Sequence, residues 1–453
     1  MARPIGIGLL GCGAVGRGVM SILRANAERI AARAGGRLAL RRIATQDVSK
    51  FRDDVEPPLL TGDPWAVVHD PDVEIVVELL GGLEPARTLI AEALRQGKAV
   101  VTANKAVLAR HGTELQATAA RHGAPLLVEA AVAGAIPIIK PLQECLAASR
   151  IQSILGIIDG MNNAILTGMA RDGLDFSAAL QRARQLGCLA GDTGADDVER
   201  RTAALTAHVE GYDAAFTLAI LASAAFETRV RVEDVFCEGI THISLADIQY
   251  GRELGYVLKP LAIAKEGEGR LELRVHPAFI PREHPLAAVN DLFSAVFVRS
   301  DAGGELMLCG RGTGVLPAAS AVVADIIEAA KRLRSGLRGV PPAPERTLPV
   351  KPIDEVVSRF YVALEPADDP GVLAAVAGAF GRWGIGIRAA MQRERFAAPA
   401  ESFASPIDLV FLTHAVQEAR LRRALAEIDQ LDGVRRIRHV IRVEEPEPSQ
   451  PTA

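Results

Sequence analysis

Three glycines in GxGxxG spacing, Gly11, Gly13 and Gly16, follow the apolar run Ile5 to Leu10, and Val19, Ile22, Leu23 and Ile30 then recur at helical spacing. Glycine lets the backbone approach a pyrophosphate, and the start of the following helix favours its charge. Gly11, Cys12, Gly13, Ala14, Val15 and Gly16 are therefore the expected cradle of a dinucleotide. An acid at the end of the second strand pairs with the ribose hydroxyls of NAD, and Asp47 in ATQD can take that place. Arg41, Arg42, Lys50 and Arg52 could instead meet the 2′-phosphate of NADP, so NAD and NADP both stay open. Lys105 in VVTANKAVLA follows a strand ending at Thr102, on the edge where such folds bind ligands. There it either polarises a carbonyl or alcohol oxygen beside a nicotinamide, or is a solvated lysine in the first turn of a helix. The corner EAAVAGAIP, from Glu129, presents small residues whose carbonyls either hold a hard cation or simply form a packing turn.

These residues need a scaffold. Short apolar runs at Leu38 to Ala44, Glu74 to Leu79, Ala99 to Thr102 and Leu126 to Val128 alternate with helical stretches such as Ala86 to Gln96, which predicts a parallel sheet. A doubly wound α/β domain is expected over residues 1–135. Residues 136–304 mix strand-like runs (Ile151 to Ile158, Leu271 to Val275, Ala295 to Val298) with long helices such as Val209 to Phe226, an α+β domain. Prolines at 341, 342, 344, 349 and 352 mark a linker over 336–357. Residues 358–444 read strand, helix, strand, strand, helix, strand, a ferredoxin-like order, and the acidic proline-rich end, 445–453, reads as a disordered tail.

With 453 residues, 51 Lys plus Arg and 55 Asp plus Glu, the chain has room for several cores and no basic field for nucleic acid or an anionic membrane. A small-molecule substrate is the expected partner. Five scattered cysteines without a CxxC pair read as reduced thiols. No apolar run approaches the roughly eighteen residues of a membrane span, and no signal peptide is evident, so a cytoplasmic protein is expected. His208, His242, His276 and His284 do not fall at metal-ligand spacing, and Asp192, Asp196 and Asp197 read as solvated loop.

The motifs GLLGCGAVGRGV, VVTANKAVLA, VEAAVAGAIPIIK, CEGITHISLADIQYGRELGYVLK, RVHPAFIPREHPLAAVN and CGRGTGVLPAASAVVADII, in that order, resemble those of the homoserine dehydrogenases. YVALEPADDPGVLAAVAGAFGRWGI resembles the ACT regulatory domain that many bacterial members carry. The resemblance implies a Rossmann domain completed by residues about 305–335, a catalytic and dimerisation domain, and a C-terminal ferredoxin-like ACT domain. It further implies NAD(P)-dependent interconversion of L-aspartate 4-semialdehyde and L-homoserine on the way to threonine and methionine, a homodimer or homotetramer, and threonine as effector. Lys105 then matches the lysine that contacts cofactor and reacting oxygen, and Asp213 an acid of the substrate pocket, with Asp192 assigned there too. Gly187 and Gly312 match cofactor-side glycines, and Thr102, at the end of its strand, is assigned to the cofactor as well. Glu129, Val132, Gly134 and Ile136 match a sodium site built largely of backbone carbonyls.

Two departures bear on catalysis. Ala190 stands where the family has a glutamate for the substrate ammonium, and Thr217 stands at the usual second catalytic lysine, with no lysine between Lys140 and Lys259. About ten extra residues separate DVE at 197–199 from VEGYDAAFT, and the loop GIIDGMNNA from Gly156 carries Met161 where a threonine is usual. Three readings follow: a slow homoserine dehydrogenase, a relative acting on another aldehyde or alcohol, or a nucleotide-binding regulatory protein without catalysis.

Overall fold

The structure is a computed structural model that describes residues 3–49, 57–186, 205–336, 347–367, 371–394 and 407–445. Six parallel strands form the first sheet: β1 (Ile5–Leu10), β2 (Leu38–Ala44), β3 (Leu60–Thr61), β4 (Ile75–Glu78), β5 (Ala99–Thr102) and β6 (Leu126–Leu127), ordered β3-β2-β1-β4-β5-β6. β1, β4 and β5 are buried throughout, as parallel strands covered on both faces must be. The order reverses direction at β1, so the carboxyl ends of β1, β4 and β5 open one crevice. Helix α1 (Ala14–Ala25) leaves the end of β1, and α2 (Lys105–His122) leaves the end of β5.

The second sheet has β7 (Ile151–Ile157), β8 (Phe236–Cys237), β9 (Tyr256–Gly267), β10 (Arg270–Pro281), β11 (Phe293–Ser300) and β12 (Gly304–Arg311). Helices α3 (Gly160–Asp172) and α4 (Tyr212–Ala225) flank it. Its β12 pairs with β11 over the whole strand. Only the later part of 305–335, helix α5 (Val315–Ser335), therefore joins the first sheet: Ala319, Val322, Ile326 and Ala329 share a core with Val19, Met20, Ile75 and Val101. Gly18 permits the approach, since a Cβ there would lie 2.9 Å from the Cβ of Ala319.

The C-terminal stretch adds β13 (Val357–Pro366), α6 (Val372–Arg382), β14 (Ile387–Glu394), β15 (Ile407–Thr413), β16 (Val416–Gln417), α7 (Glu418–Ile428) and β17 (Val434–Val443). Its strands are not a separate bead: Ala278 and Phe279 of β10 pair in parallel with Arg442 and Val443 of β17, giving the continuous order β12-β11-β7-β9-β10-β17-β13-β15-β14. One face of β13 and β15 (Phe360, Val362, Phe411) packs under α6 and α7, and the other (Tyr361, Val410, Leu412) shares a core with Tyr250 and Phe279. The expected linker is also docked where it is described. Leu348 N–H donates to Thr228 Oγ1 (3.0 Å), and Leu271 exchanges backbone hydrogen bonds with Pro349 (2.9 Å) and Lys351 (2.7 Å). Proline removes donors but leaves these carbonyls and the remaining amides free to pair. Glu445, placed in the tail by sequence, is held by Tyr256 Oη at 3.0 Å and Arg388 at 2.7 Å.

Candidate functional site

The nucleotide edge is built by backbone. Gly11 turns at φ +104°, where a Cβ would come within 2.7 Å of Leu79 O, and a Cβ on Gly16 would lie 2.5 Å from Gly11 O. A Cβ on Gly13 would meet nothing within 4 Å. Gly13 is also the N-cap of α1 and supplies no side-chain cap, leaving the first-turn amides without a capping side chain. An open approach over such amides suits a diphosphate.

Lys105 is fixed by the end of β5. Asn104 caps α2 by accepting from Val107 N–H at 3.1 Å, while its amide donates to Gly82 O at 2.8 Å and to Glu78 Oε1 at 3.4 Å. Thr102 Oγ1 donates to Glu78 Oε2 at 2.6 Å. Burial pushes the Glu78 carboxyl above the usual range against the hydrogen bonds from Thr102, Leu80 and Asn104. Thr102 is fully buried, and its hydroxyl is engaged by Glu78, its register partner on the adjacent strand β4.

Beyond the brace, Lys105 Nζ donates to Asp213 Oδ2 at 2.6 Å, across 108 residues of sequence. Asp213 lies in the first turn of α4. Burial raises its carboxyl, but Lys105 and His208 outweigh that and hold it below the usual carboxylate range. His208, which its spacing assigns to no metal site, belongs to a helical turn at 205–209. Its Nδ1 lies 2.9 Å from Asp159 Oδ2 and 3.7 Å from Asp213 Oδ2. The ligand atoms of Asp159, His208 and Asp213 lie within 4.8 Å of one another, but the Lys105 ammonium already sits on that cluster, so it reads as an acid–base network and not as a cation site.

Other expected site residues are more dispersed. Thr217, one turn beyond Asp213, turns its hydroxyl back to Asp213 O at 3.3 Å and is 3% exposed. Asp47 is exposed after β2 and accepts from Ser49 N–H at 3.0 Å. Arg41 and Arg42 lie within β2, short of its carboxyl end, and Arg42 pairs with Asp70 at 2.8 Å, so neither stands at the cofactor edge. Lys50, Arg52, Gly187, Ala190 and Asp192 lie outside the described residues. Gly312 packs against the 129–136 corner: a Cβ on Gly134 would lie 2.3 Å from Gly312 O. Cys12 is buried behind the glycine turn. The Glu129 carboxylate accepts from Ile138, Ile139 and Lys140 N–H at 2.5, 2.8 and 2.9 Å. Sequence reading overlooked Asp159 and the role of His208. The only signal was an Asp before a helix start, which any N-cap shares.

A family model described as Homoserine dehydrogenase matches residues 137–327, and one described as Homoserine dehydrogenase, NAD binding domain, matches residues 11–129. The chain is similar to the homoserine dehydrogenase of Corynebacterium glutamicum, 41% identical over 445 residues, 97% of this chain and 96% of that protein. It is 42% identical over 448 residues to that of Synechocystis, covering 96% and 99%. A crystal structure of a homoserine dehydrogenase from Thiobacillus denitrificans superposes with a TM-score of 0.88 at 38% identity, covering 98% of this chain and 99% of that one.

Proposed function

Because the chain belongs to the homoserine dehydrogenase family, we propose that it interconverts L-aspartate 4-semialdehyde and L-homoserine with a nicotinamide dinucleotide bound over the Gly11 to Gly16 turn. The carrying observation is the Lys105–Asp213 ion pair: it joins the cofactor edge of the first sheet to the helix that walls the second. The dinucleotide supplies the hydride. The chain's residues bind its diphosphate at the α1 N-terminus and hold Lys105 and Asp213 facing a reacting oxygen.

Neither arginine of β2 supports a preference for the 2′-phosphate, and NAD and NADP are both assigned as cofactors. Sodium at Glu129, Val132, Gly134 and Ile136 fits only through main-chain carbonyls, because three amides occupy the Glu129 carboxylate. The C-terminal stretch is read as an ACT domain that takes threonine. Support comes from its β17-β13-β15-β14 order with α6 and α7 on one face; Asp368, Asp369 and Pro370, just before α6, lie outside the described residues. A homodimer or homotetramer in the cytoplasm completes the reading; exposed Phe293 and Met307 at the β11–β12 edge of the second sheet support a covering copy. No described helix is long and apolar enough to cross a membrane.

Following NADPH and NADH oxidation with L-aspartate 4-semialdehyde tests the function. Turnover is expected. Cofactor binding without turnover, or turnover only of a different aldehyde, would refute it.

A further inference from the structure

Lys105, Asp213, His208 and Asp159 form a chain of charges whose far end is unusually well fixed. Asp159 is buried, and its Oδ1 accepts from Met161 N–H (2.9 Å) and Asn162 N–H (3.2 Å) as the N-cap of α3, while Oδ2 holds His208 Nδ1. The main chain of His208 is tied to the same turn, because Asn162 Nδ2 donates to His208 O at 2.7 Å. With Nδ1–H directed at a carboxylate, Nε2 is the ring nitrogen left to exchange a proton, the logic by which an aspartate orients a catalytic imidazole. The charge count points the same way. Two carboxylates face one ammonium, so a neutral ring leaves the group at −1 and an imidazolium makes it neutral.

We propose that His208 is the acid–base residue of the reaction, oriented by Asp159 as a positioning residue, and supplies the proton that the position of Thr217 no longer can. The proposal rests on the homoserine dehydrogenase reading above. In the reducing direction the aldehyde carbon receives hydride from the reduced nicotinamide. The carbonyl oxygen takes the proton from Nε2, the N–H electron pair stays on the ring, and solvent returns a proton to it. Alcohol and oxidised dinucleotide are the products, and the reverse direction uses the neutral ring as base. Thr217 cannot act here, since its buried hydroxyl is spent on the Asp213 carbonyl. The groups facing the ring are Asp159 at the N-cap of α3, Asp213 of α4 and Lys105 of α2. Burial lowers the basicity of His208 and Lys105 opposes its charge, but the two aspartates outweigh both and raise its titration above 6.5.

The test compares full-length wild type, His208→Gln and Asp159→Asn by steady-state kinetics from about pH 6 to about pH 9, by NADPH fluorescence titration, and by NMR titration of 15N-labelled imidazoles. In the wild type, kcat for reduction should fall as pH rises through the titration of His208. His208→Gln should lose roughly 10² to 10⁴ in kcat and that pH limb, with NADPH affinity unchanged. Asp159→Asn should keep the limb but move it, and the His208 resonance, to lower pH. If His208→Gln fails to fold, the Asp159→Asn displacement decides. An active wild type whose His208→Gln variant keeps kcat within about threefold, or whose limb is unmoved in Asp159→Asn, overturns the assignment of His208 alone. A wild type that binds NADPH and turns over no L-aspartate 4-semialdehyde overturns the function beneath it, and the proposal with it.

Discussion

On the nucleotide side of the Lys105–Asp213 pair, everything that fixes the lysine comes from adjoining strand ends: Glu78, Thr102 and Asn104 brace one another, and the glycine turn beside them presents backbone. On the facing side, Asp213, His208 and Asp159 arrive from three separate elements, with the Thr217 hydroxyl turned back to the Asp213 carbonyl. The nucleotide side does its work through amides and a helix end, which few sequences can replace. Proton transfer asks only for a charged, exchangeable group at one point, and that can be delivered from a different element.

The comparison is broken most directly at its shared residue. Lys105→Ala removes the only ammonium of the network described here and leaves Asp213 facing His208 alone. A loss of roughly 10² to 10⁴ in kcat is expected, measured by NADPH oxidation. Retention of most activity would place the chemistry wholly on the facing side.

Two glycine variants separate packing from binding on the nucleotide side. A Cβ at Gly16 meets Gly11 O at 2.5 Å, so Gly16→Ala should destabilise the protein by about 1–3 kcal/mol, read as a fall in melting temperature. Gly13→Ala has no such clash and should melt like wild type, yet weaken NADPH binding about tenfold by filling the cradle. Equal NADPH affinity in Gly13→Ala would mean that the diphosphate lies elsewhere.

That asymmetry also explains what could be read from the residues alone. β2 and β5 fall where their apolar runs end, and α2 starts at the expected lysine, because burial on both faces and an Asn cap leave direct marks in sequence. The Thr102–Glu78 brace is not legible locally, because the two residues end different strands 24 residues apart. His208 and Asp159 lie 49 residues apart and carry no periodicity, so nothing local announces their contact. The two-residue junction of β10 with β17 is equally silent, as is the docking of 347–351 on β10. Both depend on backbone pairing, which side-chain patterns do not encode once the strands are short.

Thr217→Lys sharpens the facing side. A lysine here would add a second ammonium beside Asp213 and His208, and kcat is expected to rise about tenfold while the pH limb of His208 moves down, since a nearby cation disfavours the imidazolium. No gain, with the limb unmoved, would mean that this side has been rebuilt beyond the one exchange.

The smallest effect concerns how independent the two sides are. Asn104→Ala removes the cap of α2 and one donor to buried Glu78, which should cost about 1 kcal/mol of stability. If the strand-end brace alone sets the position of Lys105, kcat should fall several-fold in parallel, because the first turn of α2 carries the lysine. A lower melting temperature with unchanged kcat would instead show that the ion pair to Asp213 holds Lys105 without its cap. In that case the nucleotide side borrows its order from the side it faces, and the contrast between a fixed wall and a replaceable one gives way to a single coupled unit.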